Sequence, residues 1–300
     1  MIGRRSKKLL DATIGAVAVG LLRAVKRIRR EHAANFAGAF MRKVGPLVPE
    51  HRIGRNNLRS AFPEKSETEI SEILSGVWDN LGRVAAEFVH LNEFRVVEPG
   101  VSLTDTVIVD MPTLERARRI AASKATLSFA CHTANWEIPA VVTHQVGVPS
   151  AVLYRRPNIS AISDAIIKLR TGVMGQLVPT GLDAPVRLAR LLQDGVHAGM
   201  LVDQHYTKGV EVNFFGRPCK ANPLIALLAR QLECPIYGVR AIRLPDRNRF
   251  QIDITDPIEP PRDADGRIAV QGTMQAITNV IEGWIREYPE QWLWLHQRWR

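Results

Sequence analysis

The chain of 300 residues has three cysteines, Cys131, Cys219 and Cys234, and none stands in a close pair or a CxxC. That leaves no basis for a disulfide framework or a cysteine zinc site, and it fits a reducing, cytoplasmic-side location. No metal or other cofactor is expected. The chain also lacks an apolar run of the about 20 residues that a membrane-spanning helix needs. Within LLDATIGAVAVGLLRAV, residues 9 to 25, Asp11 and Arg23 limit the uninterrupted stretch to Ala12 to Leu22. A cleaved signal peptide fits poorly too, because basic residues stand where an A-x-A site would lie. Internal repeats and low-complexity linkers are missing, and 46% hydrophobic content argues against disorder.

Acidic residues are scarce in one region. Residues 1 to 30 hold nine Lys or Arg against Asp11 alone, so that segment carries +8 of the net +10 and the other 270 residues only +2. Such asymmetry suits an anionic membrane surface or a nucleic acid. The apolar stretch between the two basic clusters favours the first: an uncleaved helix lying in or dipping into the cytoplasmic leaflet, with Lys and Arg on anionic headgroups. An ordinary docking helix is the blander alternative. A nucleic-acid arm would call for interleaved aromatics, which the segment lacks.

The remaining chain divides into a helical lead-in and an alternating α/β region. Ser66 and Glu69 form a predicted capping box for a helix whose apolar residues Ile70, Ile73, Leu74, Val77, Leu81, Val84, Ala85 and Phe88 recur at spacings of three and four. From about residue 103, short β-rich runs alternate with helical stretches, the pattern of a mainly parallel central sheet flanked by helices on both faces. The expected division is a basic membrane-associating helix over 1–30 and a single α/β domain over 31–300.

In such sheets chemistry collects at the carboxyl ends of strands. His132 falls where the strand ATLSFAC ends, Asn135 is placed to cap a helix beginning at Trp136, and Glu137 stands in that helix's first turn. On one continuous helix a spacing of five turns two side chains about 140° apart, but a turn before the helix removes that obstacle. A near-neutral imidazole can take a proton from a hydroxyl, and a carboxylate on its other nitrogen fixes the tautomer. That is the base and orienter of a triad without a protein nucleophile. Three alternatives stay open on the residues alone: His132 and Glu137 as mere helix-terminus groups, Cys131 as a thiol nucleophile, and, more weakly, a metal site, for which the spacing is poor.

The segment HTANWE, with His132 and Glu137, resembles the H-x4-D/E motif of the late acyltransferases of lipid A biosynthesis, the lauroyl and myristoyl transferases of Gram-negative bacteria. Tyr154-Arg155-Arg156-Pro157-Asn158 is similar to the YRP-N segment of that family, with Arg170 and Gly172 after it; LVDQHYTKGVEVNFFGRP at 201–218 resembles its DQ and FFG segments, PEQWLWLHQRWR at 289–300 its C-terminal signature, and AFPEKS at 61–66 its upstream turn. Ile159, where a second Asn is common, and Arg156, an added charge, depart from the pattern.

The resemblance spans about residue 30 to the end. It implies a glycerol-3-phosphate-acyltransferase-like fold and transfer of an acyl chain from acyl carrier protein to a hydroxyl of a phosphorylated, Kdo-bearing lipid A precursor, at the cytoplasmic face of the inner membrane. Another glycolipid or an aminolipid is the alternative acceptor, and a noncatalytic membrane-surface binding protein is the reading from another class. Resemblance and chemistry together make His132 the expected base and Glu137 its orienter. Arg155 is expected on the oxyanion or on a phosphate, and Asn135, Arg170, Asp203 and Gln204 on substrate or oxyanion. Phe214, Phe215 and Gly216 are expected to shape the pocket. His296 and Arg298 are expected to support the site or face headgroups, and Trp292, Trp294 and Trp299 to be core or interfacial anchors.

Overall fold

A computed structural model describes residues 4–97, 106–157 and 159–299, with side chains except those of residues 4–11 and 97. Asn158 of the YRP-N segment, Arg300, and the side chains of Arg4, Arg5, Lys7 and Lys8 therefore lie outside the described groups.

Four helices come first: α1 (Arg4–Lys26), α2 (Arg30–Val44), α3 (Glu50–Ala61) and α4 (Glu67–Glu87). α4 starts where the sequence says it should. The Ser66 hydroxyl accepts from Glu69 N, and the Glu69 carboxylate accepts from Ser66 N at 2.9 Å, satisfying two otherwise orphaned donors. The predicted apolar ladder is buried at Ile70, Leu74, Val77 and Val84 and exposed at Ala85. Glycine lets α2 cross α4 closely: a Cβ on Gly82 would collide with the Ala37 carbonyl, which belongs to rigid backbone.

The alternating region continues the chain as β1 (Val96–Val97), β2 (Val107–Val109), α5 (Met111–Ala122), β3 (Leu127–Ala130), α6 (Ile138–Gln145), β4 (Ser150–Tyr154), α7 (Ser160–Arg170), β5 (Gln176–Pro179), α8 (Ala184–Gln193), β6 (His197–Leu201), β7 (Val210–Phe214), β8 (Arg217–Ala221), α9 (Leu224–Leu232), β9 (Ile236–Arg243), β10 (Phe250–Ile254) and α10 (Val270–Glu287). Among the described residues eight strands form one sheet in the order β1-β2-β10-β9-β3-β6-β4-β5. All its pairings are parallel except β9 with β10, which are consecutive in the chain and antiparallel. The expected mainly parallel sheet flanked by helices is what the structure contains. β7 and β8 make a separate hairpin whose two loop residues, Phe215 (φ 52°) and Gly216 (φ 69°), are both left-handed, as a tight type I′ turn requires.

Apolar side chains pack on both faces of the sheet. One core joins α8, α9 and α10 to Leu127, Phe129 and Met200 of the sheet, to α4, and to Trp292 and Trp294, which are buried core residues rather than interfacial anchors. The other sets α5 and α6 against β2, β9 and β10.

A buried polar clamp fastens α4 and the segment after α10 to the sheet. Arg243, at the end of β9, donates to both carboxylate oxygens of Glu87 at 2.6 and 2.9 Å, and through Nε to Asn80 Oδ1 at 2.9 Å. Asn80 in turn donates to the carbonyls of Ala134 and Gln291. The two charged side chains are 5% and 1% exposed, so removing either leaves a desolvated charge without its counter-ion. Glu87→Ala should cost about 3–5 kcal/mol, read as a lowered denaturation midpoint in urea; a midpoint equal to the wild type's would contradict this role for the clamp.

Candidate active site

β3, β6, β4 and β5 all run the same way, so the segments after them meet at one edge of the sheet. β3 and β6 are neighbours with Ala130 opposite Leu201. Two residues further on, His132 therefore stands beside Asp203. Their side chains meet: His132 Nδ1 lies 2.8 Å from Asp203 Oδ1, and the His132 backbone N donates to Asp203 Oδ2 at 2.9 Å. The carboxylate only accepts, so Nδ1 carries the proton and Nε2 keeps its lone pair. Asp203 Oδ2 also accepts from the Trp292 indole N at 2.8 Å. Asp203 is 2% exposed, and every one of these donors favours its charged form.

Burial pulls the His132 imidazolium down, but the Asp203 carboxylate, by charge and hydrogen bond, outweighs it, and Glu137 adds a further push; the net shift is above the usual histidine value. For Asp203, burial pushes up, and the His132 charge and hydrogen bonds overcome it, holding the carboxyl well below the usual carboxylate range. The neighbouring Cys131 faces the core, as strand alternation requires. Burial, seconded by the Asp203 charge, pushes its thiol far up, so a thiolate nucleophile at this position is disfavoured.

The structure redistributes the expected roles. Glu137 does not bond the His132 ring. It is 5% exposed and grips Arg170 of α7 with two contacts of 2.9 and 2.5 Å. The reason is local: Asn135 Oδ1 accepts from Glu137 N, the helix begins at Ile138 rather than Trp136, and the turn aims Glu137 at α7 instead of β6. Asn135, expected on substrate, is fully buried and donates to Glu87 at 2.9 Å, so its amide belongs to the polar clamp. Asp203, expected to position substrate, is the carboxylate on the histidine. Ala134 between them is left-handed (φ 46°), and its N–H is taken by the Gln291 carbonyl.

A cavity of about 1150 Å³ opens beside this edge and is lined by His132, Glu137, Arg155, Arg170 and Gln204 among others. Gln204 Nε2 lies 3.4 Å from His132 Nε2, so the free ring nitrogen is on the cavity side. Trp136 tilts against the His132 ring at 5.1 Å between centroids. Arg155 is an exposed residue on the rim, while Arg170 sits deeper, over the rings of Phe88 and Tyr154. Arg156 donates to the Tyr154 hydroxyl at 3.3 Å.

The C-terminal segment supports the site from behind. Arg298 is 2% exposed and donates to the carbonyls of Gln204 and Lys220; Leu293 N donates to the His132 carbonyl. His296 is half-buried against Trp292, and desolvation lowers its pKa. Phe214 and Phe215 stack among Phe62, Trp292, Trp294 and Trp299, a buried aromatic cluster that braces the segment.

The sequence profile of the bacterial lipid A biosynthesis acyltransferases matches residues 4–300. The chain belongs to this family. It is accordingly an acyltransferase of lipid A biosynthesis. No individual curated protein matches it.

The His132 titration is directly measurable. In a ring-proton NMR titration the wild-type pKa should lie above the usual histidine value. In Asp203→Asn burial acts unopposed by that anion, and the pKa should fall; equal values in the two proteins would mean that the carboxylate does not govern the ring.

Proposed function

We propose that this acyltransferase moves an acyl chain from acyl carrier protein to a hydroxyl of a Kdo-bearing lipid A precursor, with His132 as general base and no covalent enzyme intermediate. The observation that carries the reading is the 2.8 Å contact between His132 Nδ1 and the buried Asp203 carboxylate, beside a cavity of about 1150 Å³. His132 Nε2 takes the proton of the acceptor hydroxyl as its oxygen attacks the thioester carbonyl. The carbon–sulfur bond then breaks, and the imidazolium returns the proton to the leaving thiolate. Asp203 keeps the ring in the right tautomer and steadies the imidazolium.

The carbonyl oxygen gains negative charge during attack and needs fixed donors. Gln204, next to Nε2, and the guanidinium of Arg170 are the cavity groups on hand. Glu137 serves as the anchor of Arg170, holding that guanidinium by two hydrogen bonds. Arg155 on the rim suits an acceptor phosphate.

The membrane reading rests on α1. Ile14, Val17 and Leu21 recur at spacings of three and four and are 43, 58 and 62% exposed, an outward apolar face next to Arg23, Lys26 and Arg27. The inner face packs on α7, where Gly15 meets Ala161. Among the described residues no helix is long and apolar enough to cross a membrane. An α1 lying in the cytoplasmic leaflet of the inner membrane would bring the cavity to its lipid acceptor.

His132→Ala should abolish transfer from labelled acyl carrier protein in a variant that still folds, with its thermal transition lowered because Asp203 loses its partner; substantial residual turnover would exclude the base assignment. Because the neutral ring is the base, kcat/KM should fall as pH drops through the raised His132 pKa. In Asp203→Asn that acid limb should move to lower pH, with kcat reduced about 10³–10⁴-fold. For the membrane contact, Val17→Asp with Leu21→Asp should weaken co-sedimentation with anionic vesicles at least tenfold. Undiminished sedimentation would remove α1 as the contact.

A further inference from the structure

Away from its mouth the cavity is a trough on one face of the sheet, and its floor can be read strand by strand. β3 and β6 lie side by side with Ser128 opposite Gly199, and β4 lies beyond with Val152 opposite Gly199 on its other side. Successive side chains alternate between faces. Ser128, Ala130, Val152, Gly199 and Leu201 therefore share one face, while Leu127, Phe129, Ala151, Ala198 and Met200 share the other. The second set is buried in the core, although Phe129, Ala151, Ala198 and Met200 also border the cavity. The first is only half-buried, although it occupies the middle of an eight-stranded sheet, and all five of its members line the cavity.

The floor is lowest at Gly199. A Cβ built there meets nothing nearer than the Ala151 carbonyl oxygen at 4.0 Å, so any side chain at this position would rise into the trough. Gly199 is not among the residues with positive φ, so the backbone does not demand a glycine here. Asp203, which stands level with His132, lies four positions further along the chain. At about 3.3 Å per strand residue that places Gly199 roughly 13 Å from the reacting end.

Beyond Gly199 the lining turns polar. Ser150 Oγ is buried without a hydrogen-bond partner among the described residues, and His197 is buried with Nδ1 2.9 Å from Thr126 Oγ1. An alkyl tail pressed onto Ser150 would keep its hydroxyl dry and unpaired, which costs free energy. Apart from the Ser128 hydroxyl, the apolar part of the trough thus starts at His132 and gives out just past Gly199.

We infer that Gly199 is the residue that sets how long an acyl chain the trough accepts, its missing side chain leaving room for the terminal methylenes between Ser128 and Val152. This role rests on the acyl-transfer reading and adds to it where the chain lies and what ends it.

The test combines two measurements on the full chain, for wild type, Gly199→Leu, Gly199→Ala and Val152→Ala. One is kcat/KM with acyl carrier protein donors of graded chain length. The other is calorimetric binding of free saturated fatty acids of the same lengths, which needs no turnover. Gly199→Leu should shift both profiles toward shorter chains, with a loss of about fourfold for each methylene that no longer fits. Gly199→Ala should shift them less in the same direction, and Val152→Ala should favour longer chains. Should Gly199→Leu fail to fold, the two milder variants decide.

Profiles that superimpose on the wild type's, whatever the overall activity, overturn the inference. If the wild type transfers no chain to any acceptor while the fatty-acid profiles still shift, the trough assignment stands and the acyl-transfer reading falls.

Discussion

The 2.8 Å hydrogen bond between His132 and Asp203 is the contact on which the rest of the site depends. It exists because β3 and β6, far apart in the chain, are parallel neighbours in register, so that two loops leave the sheet at the same height. Burying a carboxylate is expensive unless its lone pairs are filled. Here the ring, a backbone amide and the Trp292 indole fill them, and the carboxylate stays ionised at neutral pH. The anion then does two things at once: it settles which ring nitrogen is free, and it raises the proton affinity of that nitrogen.

Around this pair the structure invests in rigidity. The turn carrying His132 is held by the Asn80 amide on the Ala134 carbonyl, by Gln291 on the Ala134 N–H, and by Asn135 on Glu87. Each is a buried hydrogen bond that would leave an unsatisfied group if broken. The left-handed Ala134 is a conformation that a free turn would seldom choose, and the surrounding bonds over-determine it. Glu137 and Arg170 form a second, separate ionic unit on the cavity wall, with the guanidinium stacked over aromatic faces.

Much of this is legible in the sequence, and the limits have physical causes. The Ser66–Glu69 box and the α4 ladder are local patterns, and the fold contains both, apart from Ala85, which faces solvent. The position of His132 at a strand end follows from the change of rhythm after Ala130. Its partner does not, because no local spacing says that the strand ending at Leu201 lies next to the one ending at Ala130. The chain returns through β4 and β5 at the sheet's edge before β6 inserts between β3 and β4. Glu137 is the natural orienter by proximity in sequence. The Asx-type turn at Asn135 sends it the other way, and that turn hinges on one amide oxygen. Asp203 is visible as a site residue, but its job depends on sheet order.

The Trp292 indole on Asp203 and the Leu293 amide on His132 tie the site to the end of the chain. Both reach in from a segment that leaves the ribosome later than every other part of the site. A nascent chain can thus pair its strands while its histidine still lacks this brace. Competence for chemistry therefore waits on Trp292 and Leu293, made long after the strands that carry His132 and Asp203.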